Sequence, residues 1–237
     1  MHSRSFSVST APAQLQSFGR HPNEHALIGS LTELVTLDDA HAADLFAAGR
    51  DPAIWRWMPL EGFGSIDDVR AWIAAALDSA ARGDQQPYAI VDRRRGRIVG
   101  STRFMEIKPD EGALEVGWTW LAPDSQRTGI NYEAKYLLLQ HAFVEWRAVR
   151  VAFFPDEQNG RARASLVRLG ATYEGTLRCH RASADPSRNS AAYSIVASEW
   201  PQVRAGIEQR TLRGNRARTP FRPSILAGRQ HLSLDDL

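Results

Sequence analysis

Between residues 27 and 212 the spacing of apolar positions changes period several times, and each change marks a predicted element. Residues 31–37 alternate as a strand does, with Leu31, Glu33, Val35 and Leu37 on one face and Thr32, Leu34 and Thr36 on the other. Asp38 and Asp39 suit a helix start ahead of 41–49, where Leu45 and Phe46 supply an apolar stripe. A short helical piece is expected over 52–57. Ser65 and Asp68 have the spacing of a capping box, and Val69, Trp72, Ile73, Ala76 and Leu77 then form a helical stripe that Gly83 ends. Strands predicted over 88–92, 97–107 and 113–121 are joined by short turns at 93–96 and 109–112, which favours an antiparallel meander. The period is helical again over 131–147, through Ala134, Leu137, Leu138, His141, Ala142 and Val144. Residues 149–154 read as a strand, and 161–169 as a helix stopped by Gly170 as its C′ residue. A hairpin over 172–179 and 191–196 and a closing helix over 199–212 complete the series. The order β-α-α-β-β-β-α-β-α-β-β-α predicts an α/β protein with a mixed sheet flanked by helices.

The ends do not share this periodicity. Residues 1–26, rich in Ser, Gln, Pro and His, read as a disordered arm, and 213–237, where Pro220 and Pro223 oppose regular structure, as a disordered tail. That leaves one domain, 27–212. With 43% hydrophobic residues and seven Trp over its 237 residues the chain can fill a single core, which excludes disorder throughout. The formal charge of +2 is unevenly placed. Five Arg (213, 216, 218, 222, 229) against two Asp give the tail +3, Arg4 and Arg20 against Glu24 give the arm +1, and the body is −2. A general nucleic-acid field over the body is therefore not expected. The run Arg93-Arg94-Arg95 falls in a predicted turn and reads most simply as a solvated tip, with a ribosome or nucleic-acid contact as the other reading. Cys179 is the single cysteine, so no intrachain disulfide can form, and no run approaches the ~18 apolar residues of a membrane span. A cytoplasmic protein is expected.

The stretch from Leu114 to Lys135 carries the candidate chemistry. A strand ends near Pro123, a polar loop bearing Gly129 follows, and a helix begins at about Asn131. Unpaired amides at such a helix start, with a flexible Gly beside them, suit a phosphate, and Arg127 adds a charged donor. There is no G-x-x-x-x-G-K-[ST] and no G-x-G-x-x-G after a strand, so neither a P-loop nor a dinucleotide fold is expected. Gln126-Arg127-Thr128-Gly129-Ile130-Asn131 resembles the acyl-CoA pyrophosphate loop of the GNAT N-acetyltransferase superfamily, Q/R-x-x-G-x-G/A. Asn159 with Arg163, Leu166 and Leu169-Gly170-Ala171 resembles the family's next strand and helix. Segments at 55–59, 100–102, 131–135, 174–178 and 193–201 are similar to the RimJ/RimL subset of ribosomal-protein N-terminal acetyltransferases.

This resemblance implies the GNAT fold, with splayed strands forming the acyl-CoA site, and acetyl-CoA as co-substrate with no metal. It implies that backbone from Trp118 through Trp120 to Leu121 pairs with the pantetheine, that amides from Arg127 through Thr128, Gly129 and Ile130 to Asn131 hold the pyrophosphate, and that Asn159 contacts the pantetheine arm. Asn131 reads equally as a helix N-cap. Glu115, eleven residues before Gln126, stands where several members carry a catalytic glutamate; it is the candidate general base, or else an outward-facing strand carboxylate. The family's thiolate-protonating Tyr is replaced by Leu166, which leaves Tyr132, Ser125 or solvent as the acid. Trp55 and Trp57 fall in the region that shapes acceptor specificity, with core packing as their other role. The expected partner is an amine acceptor, a protein N-terminus or a small molecule, and a homodimer is admitted. A non-catalytic acyl-CoA-binding module and an RNA- or ribosome-docking protein are the competing functions.

Overall fold

The computed structural model describes residues 26–181 and 188–214. Residues 1–25 of the predicted arm and 215–237 of the predicted tail lie outside the described residues.

Eight strands form one sheet: β1 (Leu27–Ile28), β2 (Thr32–Thr36), β3 (Gln86–Asp92), β4 (Arg97–Lys108), β5 (Ala113–Leu121), β6 (Arg150–Phe153), β7 (Thr172–Leu177) and β8 (Ser190–Val196). Their spatial order is β1-β2-β3-β4-β5-β6-β8-β7, and every neighbouring pair is antiparallel except β5 with β6. The meander is set by short turns. Gly96 and Gly112, both at φ 61°, supply the left-handed residues at which β3 turns into β4 and β4 into β5. Among the described residues five α-helices cover the faces: α1 (Ala42–Ala48), α2 (Ile66–Ala81), α3 (Ile130–Gln140), α4 (Gly160–Leu169) and α5 (Trp200–Gly214).

Alternation along the strands sends side chains into two cores. Leu45, Trp55, Val69 and Ile73, from α1, α2 and the segment between them, pack against Ala89, Ile98 and Trp120. On the opposite face Ile130, Ala134 and Leu138 of α3 and Ile207 of α5 pack against Val99, Phe104, Leu114 and Val116. The capping box at α2 forms as read: Ser65 accepts from the Asp68 amide, and Asp68 from that of Ser65.

Three expectations change. Residues 52–57 form a 3-10 turn, whose start Asp51 caps by accepting from the Ala53 amide at 2.8 Å. The helix expected over 131–147 stops at Gln140 and passes into a π turn, His141–Glu145, where the His141 ring stacks on Phe104. Its N-cap is Gly129, not Asn131. At φ 98° a glycine turns the loop into the helix directly, so Asn131 already lies inside the first turn.

Candidate functional site

β5 and β6 are paired only through Ala113–Arg150, Leu114–Val151 and Glu115–Ala152. From Val116 onward β5 remains bonded to β4 alone, and among the described residues no strand pairs with its other edge. A bulge accompanies the divergence. Arg103 pairs with Gly117 and Ser101 with Trp120, so Thr102 alone faces Trp118 and Thr119, and the Thr102 and Thr119 hydroxyls meet at 2.8 Å. Trp118 takes φ 49°, a strained conformation for a bulky residue and one that gathers at functional sites. A Cβ at Gly117 would lie 2.5 Å from Met105 Sδ and 3.0 Å from Glu115 Oε1, so a side chain there would displace both groups. The unpaired edge of β5 offers N–H and C=O groups to any extended chain that carries amides.

At the end of that edge the loop into α3 is braced internally. Gln126 Nε2 donates to the Leu121 carbonyl at 2.9 Å, and Thr128 Oγ1 to that of Ser125 at 2.6 Å. With Arg127 at φ 61° and Gly129 at φ 98°, the amides of Arg127, Thr128, Gly129, Asn131 and Tyr132 are left with no acceptor among the described residues. Converging amides at a helix N-terminus form an anion site, favoured further by the helix dipole. The Arg127 side chain is exposed beside them.

Two supports of this loop were not visible in the sequence. Glu133, in the first turn of α3, accepts from Ser30 N (3.0 Å), Ser30 Oγ (2.7 Å), Leu31 N (2.7 Å) and Thr32 N (2.8 Å), fastening the helix start to the β1–β2 turn. The arginine run is likewise more than a solvated tip. Arg93 donates to the Gly29 carbonyl, and Arg95 to Asp124 Oδ2 at 3.1 Å, just ahead of the loop.

Glu115 is buried, 3% exposed, and paired with Arg181. It is therefore not an outward-facing carboxylate. Its neighbours Leu114 and Val116 enter the α3-side core, so Glu115 faces the α1–α2 side, as does Gly117 two residues on. Burial raises its pKa above the ordinary 4.5, against the opposing pull of Arg181. Arg103, across from Gly117, has its guanidinium 4.9 Å from the Trp72 ring and 4.8 Å from that of Trp118. Burial lowers its pKa to about 10. From the α3 side comes Lys135. Its Nζ lies 3.4 Å from Thr119 Oγ1 on β5 and 6.0 Å from the ring of Phe153 on β6, between the diverging strands. Burial lowers its pKa to about 8.

The remaining sequence candidates are scattered. Trp55 is a core residue whose indole N–H donates to the Gly49 carbonyl at 2.8 Å, and Trp57 is half-buried under Arg56. Trp120 is buried against Trp55, with ring centroids 5.0 Å apart. The Tyr132 hydroxyl accepts from Arg210 at 3.2 Å and is thereby drawn towards α5, while Leu166 is core. Asn159 caps α4 by accepting from the Ala162 amide at 3.0 Å. Among the described residues no group of three His, Cys, Asp or Glu is placed to hold a metal ion, and no helix is long and apolar enough to cross a membrane.

A strand pair that opens beside a bulge and ends in an amide-lined loop can be compared with known families. The model of the acetyltransferase (GNAT) domain matches residues 32–172. The chain belongs to the GNAT acetyltransferase family. A GCN5-related N-acetyltransferase from Brucella melitensis superposes on this acetyltransferase with a TM-score of 0.74 and 25% identity, over 81% of this chain and 86% of that one. The uncharacterized N-acetyltransferase p20 of Bacillus licheniformis is 21% identical over 63% of this chain and 84% of its own length. RimL, the ribosomal L7/L12 α-N-protein acetyltransferase, shares the fold at a TM-score of 0.64 and 19% identity, over 73% of this chain and 94% of that one. The resemblance read from the sequence therefore has its counterpart in the family model and in the fold.

Proposed function

We propose that this acetyltransferase moves the acetyl group of acetyl-CoA directly onto a primary amine held beside Glu115. The observation that carries the reading is the opening of β5 from β6, which ends at the free amides of Arg127, Thr128, Gly129 and Asn131. In this reading the amide groups of the pantetheine arm pair with the β5 edge along Trp118, Thr119, Trp120 and Leu121. The pyrophosphate lies against the loop amides and Arg127, and the Nδ2 of Asn159, whose Oδ1 is occupied by the helix cap, reaches the arm.

The chemistry then needs three things. Glu115 takes the proton from the amine, whose lone pair attacks the thioester carbonyl carbon. The C–N bond forms, the C–S bond breaks, and the sulfur leaves as a thiolate that must be neutralised. Lys135, the cation between the diverging strands, supplies the positive charge and the proton at that point. The raised pKa of Glu115 makes it a stronger base than an exposed glutamate. An α-amine of pKa ~8 is about a tenth neutral at pH 7, whereas a lysine amine at ~10.4 costs ~3 kcal/mol more to deprotonate, so a single carboxylate base suits the α-amine.

The test is free-thiol release from acetyl-CoA across a panel of amines. Glu115→Gln is expected to lower kcat by about 10²–10⁴-fold, and the acid limb of the wild-type kcat/KM profile to lie above 4.5. Unchanged turnover in that variant removes Glu115 from the reaction. Stabilisation by CoA without turnover of any amine would favour a binding module.

A further inference from the structure

One charged side chain at the site has no task in this reaction. Arg103 is buried, 4% exposed, yet of its three nitrogens only Nη1 has a partner, Gln85 Oε1 at 2.8 Å. Nε and Nη2 are buried with no hydrogen bond, and no carboxylate among the described residues forms an ion pair with it. Nε and Nη2 form one edge of the guanidinium, the fork that takes the two oxygens of an oxoanion together. A buried, unpaired fork is costly, and such groups in native proteins call for a missing partner.

Its place in the sheet says what that partner is attached to. Arg103 is directly across from Gly117 and Met105 across from Glu115, with the register unbroken between them. Arg103 and Glu115 are thus diagonal neighbours on one face, about 7–8 Å apart at the backbone. Between them lies Gly117, which has no side chain of its own, and Met105 Sδ stands over it, 2.5 Å from where a Cβ would be. A molecule whose amine is presented to Glu115 reaches the fork with its next few atoms by turning aside the Met105 side chain, an unbranched thioether that adapts readily.

We propose that Arg103 binds a carboxylate carried by the acceptor, so that the acceptor class is a free amino acid or a close analogue with amine and carboxylate a few bonds apart. This rests on the acetyl-transfer reading above, because Glu115 is what orients the amine. A polyamine has no such anion, and a peptide N-terminus has an amide where the carboxylate would be. A carboxylate is favoured over a phosphate because the fork brings one positive charge, matched by one negative charge. Trp72 and Trp118, packed on the guanidinium, form the walls that exclude water from the pair.

The experiment compares free amino acids with their carboxamides and with the matching aminophosphonic acids as acceptors of acetyl-CoA, using the full chain, Arg103→Met and Arg103→Lys. In the wild type kcat/KM is expected to favour the acid over the amide by about tenfold or more. In Arg103→Met, whose methylenes keep the packing against the indoles, that ratio falls towards one, chiefly through KM. Arg103→Lys keeps the charge without the fork and restores little of it. Tryptophan fluorescence gives a readout independent of turnover: each amino acid is titrated without acetyl-CoA, and a saturable change that Arg103→Met abolishes is expected. If no amine is acetylated but that change is seen, the transfer reading fails and the carboxylate site stands. Equal use of acid and amide, better use of phosphonates, or an unchanged preference in Arg103→Met overturns the proposal. So does the absence of both turnover and fluorescence change.

Discussion

Lys135 shows how a residue proposed to act at the site can be costly to the fold. Its only hydrogen-bond partner among the described residues is a threonine hydroxyl at 3.4 Å, a weak return for burying an ammonium group. The pKa falls from 10.5 to about 8, so the folded protein binds this proton less tightly than the unfolded chain does. By linkage the penalty is fully present below pH 8, shrinks as pH rises from about 8 to 10.5, and amounts to roughly 3 kcal/mol. Lys135→Met, similar in length and uncharged, is therefore expected to be more stable than the wild type at pH 7, by on the order of 1–3 kcal/mol, and markedly slower in thiol release. Urea unfolding at pH 7 and pH 10 checks the sign, because the advantage of the variant shrinks at the higher pH. A variant that is less stable at pH 7, or as active as the wild type, would show that the ammonium group serves packing alone. The sequence places this lysine in the 131–135 segment that resembles the RimJ/RimL subset but gives it no chemical role. With Asn131 and Glu133 just before it, periodicity reads it as one more solvent-facing position of the first turns.

At the scale of elements, the start of α3 depends on a contact made from far along the chain. The Glu133 carboxylate fills the space above Gly29, where a Cβ would stand 2.6 Å from its Cδ and Oε2. Gly29→Ala is expected to push the carboxylate off the Ser30, Leu31 and Thr32 amides and to cost about 1–3 kcal/mol. Because that turn fixes the helix start, the affinity for acetyl-CoA should fall together with Tm. Calorimetry of both on one sample separates this from simple destabilisation, since an unaltered Kd at a temperature where the variant is folded would mean that the turn does not position the loop. Such contacts also set what the sequence makes legible. Alternation and capping spacing are local, and they predict β5 with its observed bounds and the α2 cap with its observed residues. The two residues of β1 have no period to read, and Asn131, a good cap by type, predicts a later helix start than Gly129, which fits the turn. Arg103 is unreadable for a different reason. Its importance lies in what the neighbouring strand and α2 bring against it, which no spacing within β4 encodes.

For the molecule as a whole, the donor must bind an acidic body. Residues 27–212 carry a net −2, so no general field draws in a polyanion, and affinity for CoA phosphates has to come from short-range donors, the loop amides and Arg127. The opened strands add a second requirement. Beyond Glu115 the two strands part, and Thr119 and Lys135 meet in the gap. A ligand that pairs with this edge joins the two halves of the sheet, and by linkage it stabilises the fold by about 2.7 kcal/mol at one hundred times its Kd. For a domain of this size that is a rise in Tm of roughly 5–10 °C. S-acetylpantetheine offers the same amides and thioester without the pyrophosphate, so at equal concentration it is expected to give a much smaller shift. Raising the salt should reduce the acetyl-CoA shift and leave that of S-acetylpantetheine nearly constant. Thermal unfolding with the two donors at low and high ionic strength checks both statements. Equal shifts from the two donors, or shifts that salt does not separate, would place the binding energy in the strand gap alone and leave the amides at the start of α3 without a ligand.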